Sequence, residues 1–194
     1  MWEDKMKALG ILAGPRKGRT TDKMIDAVLD GLKDRGAEIE KISLYDYDIK
    51  PCMGCYECEK TKKCVIDDDQ RIVLDKMDKA DVVVFGTPTY WSNVSSVAKK
   101  FFDRSLPFFD MGKTGPVRTA KKPGKVVLIT SCGCPYPFTH LLGIITGCIR
   151  AMRVVFGRMN AKIKTLYVPG MMDPEKDGPS EKMLKKAYRL GKNI

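Results

Sequence analysis

An α/β fold, a parallel sheet covered by helices on both faces, is predicted by three observations. Five short β-like runs alternate with helix-like stretches along the 194 residues. One run, Val82-Val83-Val84-Phe85, is apolar without a break, as in a central parallel strand buried on both sides. Glycine-bearing loops follow the first and third runs, where open sheets of this kind carry their ligand crevice.

The first expected strand covers 8–13, apolar apart from Gly10 and ended by Gly14-Pro15. A helix follows over 21–35, with Met24, Ile25, Val28, Leu29 and Leu32 on one face and Gly36 as its stop. Residues 38–44 alternate charges with Ile39, Ile42 and Leu44, a half-buried strand near the edge. The central strand is 81–86, and 125–130 and 162–168 supply two more. Further helices are expected over 69–79, 94–104, 139–156 and 180–190. The 139–156 helix is apolar nearly all round, so it belongs deep in the core or under another subunit. Residues 110–124, rich in Gly, Pro and Lys, read as a surface loop. With no internal repeat or low-complexity linker, the chain reads as one domain over 1–194 with a cysteine-rich segment at 52–64.

Hydrophobic residues make up 43% and charged residues 30%, which disfavours disorder and collagen-like or solenoid architectures. The net charge is +11, and residues 111–172 hold ten Lys or Arg with no Asp or Glu. That field would steer an anionic partner, or simply forms a solvated face. None of the common nucleic-acid-binding signatures is present, so nucleic acid is disfavoured. The N-terminal apolar stretch is too short for a signal peptide. The most apolar segment, 141–149, falls short of the roughly 20 residues a membrane helix needs. A cytoplasmic protein is therefore expected. In that reducing setting, seven cysteines point to metal binding or redox chemistry before a disulfide framework.

The first loop runs Ala13-Gly14-Pro15-Arg16-Lys17-Gly18-Arg19-Thr20-Thr21 into a helix. Exposed N–H groups, the positive end of the helix dipole, the Thr hydroxyls and Arg16 together suit a phosphate. The plainer reading is that Thr20 or Thr21 caps the helix. Walker A and the dinucleotide Gly-x-Gly-x-x-Gly are both absent, which disfavours a nucleoside triphosphatase or a standard dinucleotide-binding dehydrogenase. The second loop, Gly86-Thr87-Pro88-Thr89-Tyr90-Trp91-Ser92-Asn93-Val94, would border the same crevice, and its aromatic pair can hold a flat ring or serve as core or interface.

These two loops, with Ser95 and the following Lys99-Lys100-Phe101-Phe102-Asp103-Arg104, resemble the flavodoxin-like NAD(P)H-dependent FMN reductases over residues 7–168. The resemblance implies a flavodoxin-like three-layer sandwich with a five-stranded parallel sheet in the order 2-1-3-4-5. It implies FMN, with its phosphate on Arg16, Gly18, Thr20 and Thr21. The isoalloxazine would lie against Pro88, Thr89, Tyr90, Trp91, Ser92 and Asn93, with a third contact from Ser131, Cys132 and Gly133. Gly14 stands where the family often has Ser, which removes a phosphate hydroxyl contact.

Cys52, Cys55, Cys58 and Cys64 lie within one short segment, a Cys-x2-Cys-x2-Cys run with a further Cys. That spacing resembles ferredoxin-type clusters; zinc ranks second and disulfides third. Placed after the second strand, the segment resembles the iron–sulfur flavoproteins, a branch of the same family carrying one [4Fe–4S] cluster. That resemblance implies electron transfer between FMN and cluster, a homodimer or homotetramer, and NAD(P)H or ferredoxin (or another electron-transfer protein) as donor. The apolar 139–156 helix and the Pro107–Phe109 stretch are the candidate interfaces. The alternative is a flavin electron carrier or redox sensor without cluster or turnover. No protein nucleophile is required. Cys134, Cys148 and His140 receive no catalytic role, and Asp67, Asp68 and Asp69 read as charge and caps for the next helix.

Overall fold

The computed structural model describes residues 5–108, 110–112, 115–117, 123–159, 161–173 and 178–194. In chain order the elements begin β1 (Lys7–Leu12), α1 (Thr20–Lys33), β2 (Glu38–Ser43), α2 (Glu57–Thr61), α3 (Gln70–Lys79), β3 (Val82–Pro88) and α4 (Ser96–Asp103). They continue with β4 (Asp110–Gly112), β5 (Gly115–Val117), β6 (Lys125–Ser131), α5 (Phe138–Leu141), α6 (Ile144–Phe156), β7 (Lys162–Val168) and α7 (Glu181–Lys192). Five strands pair in parallel in the order β2-β1-β3-β6-β7, the flavodoxin-like 2-1-3-4-5 arrangement once the small β4–β5 hairpin is set aside. The strand order reverses beside β1 and β3, which opens a crevice beyond their carboxyl ends.

The strand pleat divides the core in two. Val83 and Phe85 of β3 point to a cluster shared with Val73 and Met77 of α3, Phe101 of α4 and Met152 of α6. Val82 and Val84 point the other way, to Met24, Ile25, Val28 and Leu29 of α1 and Ala187 of α7. Phe85 lies among Phe101, Phe102 and Phe156, with ring centroids 6.5, 5.3 and 5.1 Å away. Such tilted and offset pairs add about 0.5–1.5 kcal/mol each beyond their buried area. On the opposite face α1 and α7 pack backbone to backbone: a Cβ on Gly31 would stand 2.1 Å from the Tyr188 carbonyl oxygen, and one on Gly191 2.0 Å from that of Val28.

Two expectations are corrected. The single helix over 139–156 is two helices, broken where Gly143 takes φ +67°, a left-handed turn that ends α5 before α6 begins. α6 buries Ile145, Cys148, Met152 and Phe156 and leaves Val154 exposed, so its apolar character serves one face of the core. The loop expected over 110–124 contains the antiparallel β4–β5 hairpin; residues 113–114 and 118–122 lie outside the described residues, as does Phe109 of the candidate interface stretch. Among the described residues no helix is long and apolar enough to cross a membrane.

Candidate functional site

Three loops leave the carboxyl ends of β1, β3 and β6 and meet around one hollow of about 100 Å³. The first loop contributes Arg16, Thr20 and Thr21, the second Pro88, Thr89 and Tyr90, and the third Ser131, Cys132 and Gly133. These nine are all sequence-expected positions. Gly18, Trp91, Ser92 and Asn93 lie outside that lining. The Gly18 N–H is taken by the Asp22 carboxylate at 2.6 Å. Asn93 pairs with Tyr90 through two reciprocal backbone bonds of 2.9 Å, leaving Trp91 and Ser92 at the tip. Both tip residues have positive φ, 49° and 59°, a strained conformation for non-glycine side chains.

The polar wiring explains why the loops converge. Ala13 N–H donates to Gly86 O and Thr89 N–H to Ser131 O, each at 2.7 Å, which extends the parallel ladder into the loops. Ser95, fully buried, caps α4 and donates its hydroxyl to Ala13 O at 2.5 Å, tying the first loop to the second. The Thr21 and Ser131 hydroxyls share a bond of 2.9 Å, tying the first to the third. α1 begins with Arg19 as N-cap and no side-chain cap bond, so neither threonine spends its hydroxyl on the cap reading. Asp22, buried in the first turn, is matched by Lys41 Nζ at 2.7 Å, which leaves Arg16 as an exposed cation on the rim of the hollow.

Leu12, Gly14, Pro15, Arg19 and Met171 also line the hollow and were missed by sequence reasoning. Met171 comes from the segment after β7, strapped to the third loop by its N–H donating to Cys132 O at 3.0 Å. Gly14 has a packing reason: a Cβ there would meet Pro88 Cδ at 3.2 Å, tighter than most real contacts. The residue that omits a hydroxyl also brings the two loops together. Cys132 is buried, its sulfur 3.0 Å from Thr139 Oγ1. Burial pushes the Cys148 thiol pKa up, in keeping with an inert core thiol.

The cysteine segment follows β2, on the same edge of the sheet. Cys52 and Cys55 are exposed, Cys58 on α2 and Cys64 are half-buried. Among the described residues no three His, Cys, Asp or Glu converge as a metal-holding group. The thiols nonetheless sense one another: desolvation first, then the charges of Cys64, Cys52 and Cys55, push the Cys58 pKa up. Two sulfurs already accept N–H donors, Cys52 from Gly54 N at 3.4 Å and Cys64 from Arg104 Nη2 at 3.4 Å. Four soft thiols with N–H groups aimed at sulfur fit an iron–sulfur centre chemically. The expected caps are rearranged: Asp68 Oδ1 accepts from Gln70 N at 3.0 Å at the start of α3, whereas Asp69 turns away to accept from Asp48 N at 2.7 Å.

Residues 6–135 match the family model described as NADPH-dependent FMN reductase. The chain belongs to that family. Among curated members of the wider group, an iron–sulfur flavoprotein of Archaeoglobus fulgidus is 31% identical over 189 residues, 97% of this chain and 79% of its own length. A second iron–sulfur flavoprotein of the same organism is 44% identical over 100 residues, 52% of this chain and 49% of its own. The chain thus spans most of one such relative and about half of the other. In three dimensions this FMN reductase family member is similar to an NAD(P)H:quinone oxidoreductase from Methanothermobacter marburgensis, with TM-score 0.76 and 21% identity over 98% of this chain and 96% of that one.

Proposed function

We propose that this chain is an FMN-dependent oxidoreductase, one domain over 1–194, that passes electrons between FMN and a [4Fe–4S] cluster on Cys52, Cys55, Cys58 and Cys64. The observation that carries the reading is the one hollow shared by the loops after β1, β3 and β6, whose lining joins Arg16 and the first residues of α1 to Pro88 and Tyr90.

Arg16, Thr20 and Thr21 would hold the FMN phosphate, favoured by the α1 dipole and by hydroxyls left free of capping, while Gly18, its N–H on Asp22, would shape the turn before them. A hollow of about 100 Å³ suits the phosphate end, with the ring at its rim against Pro88, Thr89, Tyr90, Trp91, Ser92 and Asn93. Ser131, Cys132 and Gly133 close the third side. Bound FMN supplies hydride and single-electron transfer. The chain's own task is placement: Leu12, Pro88 and Met171 give the hollow apolar lining, and the Thr21–Ser131 bond ties two of its walls together.

For the cluster, the support is the four-thiol donor set, the N–H groups on Cys52 and Cys64, and the names of the relatives. Arg104, whose Nη2 donates to Cys64 Sγ, puts a positive group against one of these thiols. A homodimer or homotetramer is supported by the apolar side chains left uncovered in the segments after β3 and β6. Trp91 is fully exposed, and Tyr90 in the same loop and Tyr136, Phe138, Leu141 and Leu142 in and around α5 are exposed as well. NAD(P)H and ferredoxin are both anionic donors suited to a chain of charge +11.

Anaerobic purification should give a yellow-brown protein that releases FMN and contains about four irons and four sulfides per chain. A colourless protein that does not take up added FMN overturns the reading, and zinc alone overturns its cluster half. Steady-state oxidation of NADH or NADPH with a quinone acceptor identifies an enzyme; negligible turnover identifies a carrier.

A further inference from the structure

Arg104, just past the end of α4, is a cation with only 1% of its side chain exposed, and the FMN hollow does not use it. Its Nη1 donates to Lys50 O at 3.1 Å and to the Asp68 carboxylate. Its Nη2 donates to Ile66 O at 3.2 Å and to Cys64 Sγ at 3.4 Å. Asp68, equally buried, accepts in addition from Lys50 N at 2.9 Å. One ion pair therefore grips residue 50, before the first cysteine of the segment, and residues 64–68, at and beyond its last. Burying such a pair carries a desolvation penalty that apolar packing would avoid, so stability alone is a poor reason for it.

We propose that Arg104, held by Asp68, is a positioning residue for the cysteine centre. It ties together the two ends of the 52–64 loop and fixes Cys64 there, so that fewer residues have to be ordered when a metal draws the four thiols together, and its charge on Cys64 Sγ raises the centre's affinity for an electron. The inference rests on the cysteine-centre part of the reading above. Closing the loop beforehand removes a conformational cost from metal binding. A positive charge beside the sulfur stabilises the reduced, more negative state of whatever centre the thiolates hold.

Two measurements on the full chain test it: cobalt(II) titration of the metal-free protein, followed by thiolate-to-cobalt absorption, and the reduction potential of the anaerobically isolated protein. Arg104→Lys keeps the charge and loses the fork between Lys50 O and Ile66 O; its cobalt affinity should fall about 10–100-fold, the usual effect of losing a group that orients metal ligands. Arg104→Gln leaves Asp68 facing Cys64, and the potential should drop by a tenfold one-electron shift, about 59 mV. Asp68→Asn preserves size and an acceptor for Lys50 N while removing the opposing charge, so the potential should rise. A residue that only braced the fold would move both potentials the same way, and that result, or equal cobalt affinities in wild type and Arg104→Lys, overturns the proposal. Wild-type protein that binds cobalt through thiolates but is isolated without iron and sulfide overturns the cluster reading, and the cobalt affinities then decide the role of Arg104. Wild type that binds no cobalt through thiolates overturns both.

Discussion

Gly147 in α6 offers a test of how tightly the loop after β3 is held. A Cβ at this position would lie 2.2 Å from the Ser92 carbonyl oxygen and 3.3 Å from its carbon. Real Cβ atoms do not approach so closely, so Gly147→Ala forces the helix and the loop apart by roughly 1 Å, an overpacking that costs about 1–3 kcal/mol. The loop has little slack, since Trp91 and Ser92 already sit at positive φ between the two Tyr90–Asn93 bonds. Alanine gains about 1 kcal/mol of helix propensity over glycine, which leaves a net loss of up to about 2 kcal/mol. For a chain of this size that is a fall in Tm of about 2–4 °C per kcal/mol. Tyr90 and Pro88 would move with the loop, so FMN should bind about tenfold more weakly, equivalent to about 1.4 kcal/mol. Thermal unfolding and flavin-fluorescence titration of the apoprotein read the two effects. Gly157→Ala is the control: its Cβ meets nothing within 4 Å, its φ of −61° suits any residue, and it should be stabilised. If Gly147→Ala is stabilised like the control and binds FMN unchanged, the loop does not rest on α6 as described.

Three shorter expectations follow from other contacts. Arg16→Ala should weaken FMN binding about tenfold or more through the lost charge-assisted contact; because Arg16 is exposed, the apoprotein Tm should stay put, and calorimetric titration beside a melt checks both. Gly31→Ala, whose Cβ would lie 2.1 Å from Tyr188 O and 2.8 Å from Lys192 N, should destabilise the chain by about 1–3 kcal/mol while the folded fraction keeps its FMN affinity; an unchanged denaturation midpoint would show that α1 and α7 are not in backbone contact. Asp68 is desolvated, which alone would raise its pKa, yet the donors Arg104, Lys50 N and Gln70 N outweigh burial and hold it below its ordinary value of 3.8. Its stabilisation is thus complete above that pH and lost as pH falls through the depressed folded value. Denaturation of metal-free Asp68→Asn against wild type should show a gap at neutral pH that closes in acid below 3.8, and a gap constant with pH would contradict the ion pair.

The sheet was legible because each strand carries its own local signal. Val82 to Phe85 is apolar on both faces and proves central; residues 38–43 alternate and prove to be an edge. β3 runs on to Pro88, beyond the expected end, because the ladder with β6 continues through Pro88 and Ser131, a pairing no local window contains. The hollow was legible to the same degree: loops that follow strands at the point of order reversal could be named, whereas Met171, brought in by a backbone bond to Cys132, could not.

Arg104 is the instructive miss. Val97, Ala98 and Phe101 mark the buried stripe of α4, and position 104 lies three residues past Phe101 and seven past Val97 on that same stripe. A charge on an apolar stripe requires a buried counter-charge. Periodicity therefore announces that Arg104 is buried, but says nothing about the partner, which lies 36 residues earlier in the chain. The Asp67-Asp68-Asp69 run reads locally as a helix start. Only the fold separates its members, giving Asp68 to the guanidinium and Asp69 to Asp48 N. Two features each explained by a local rule, a basic residue at a helix end and acids at a helix start, are thus two halves of one clamp around the cysteine segment.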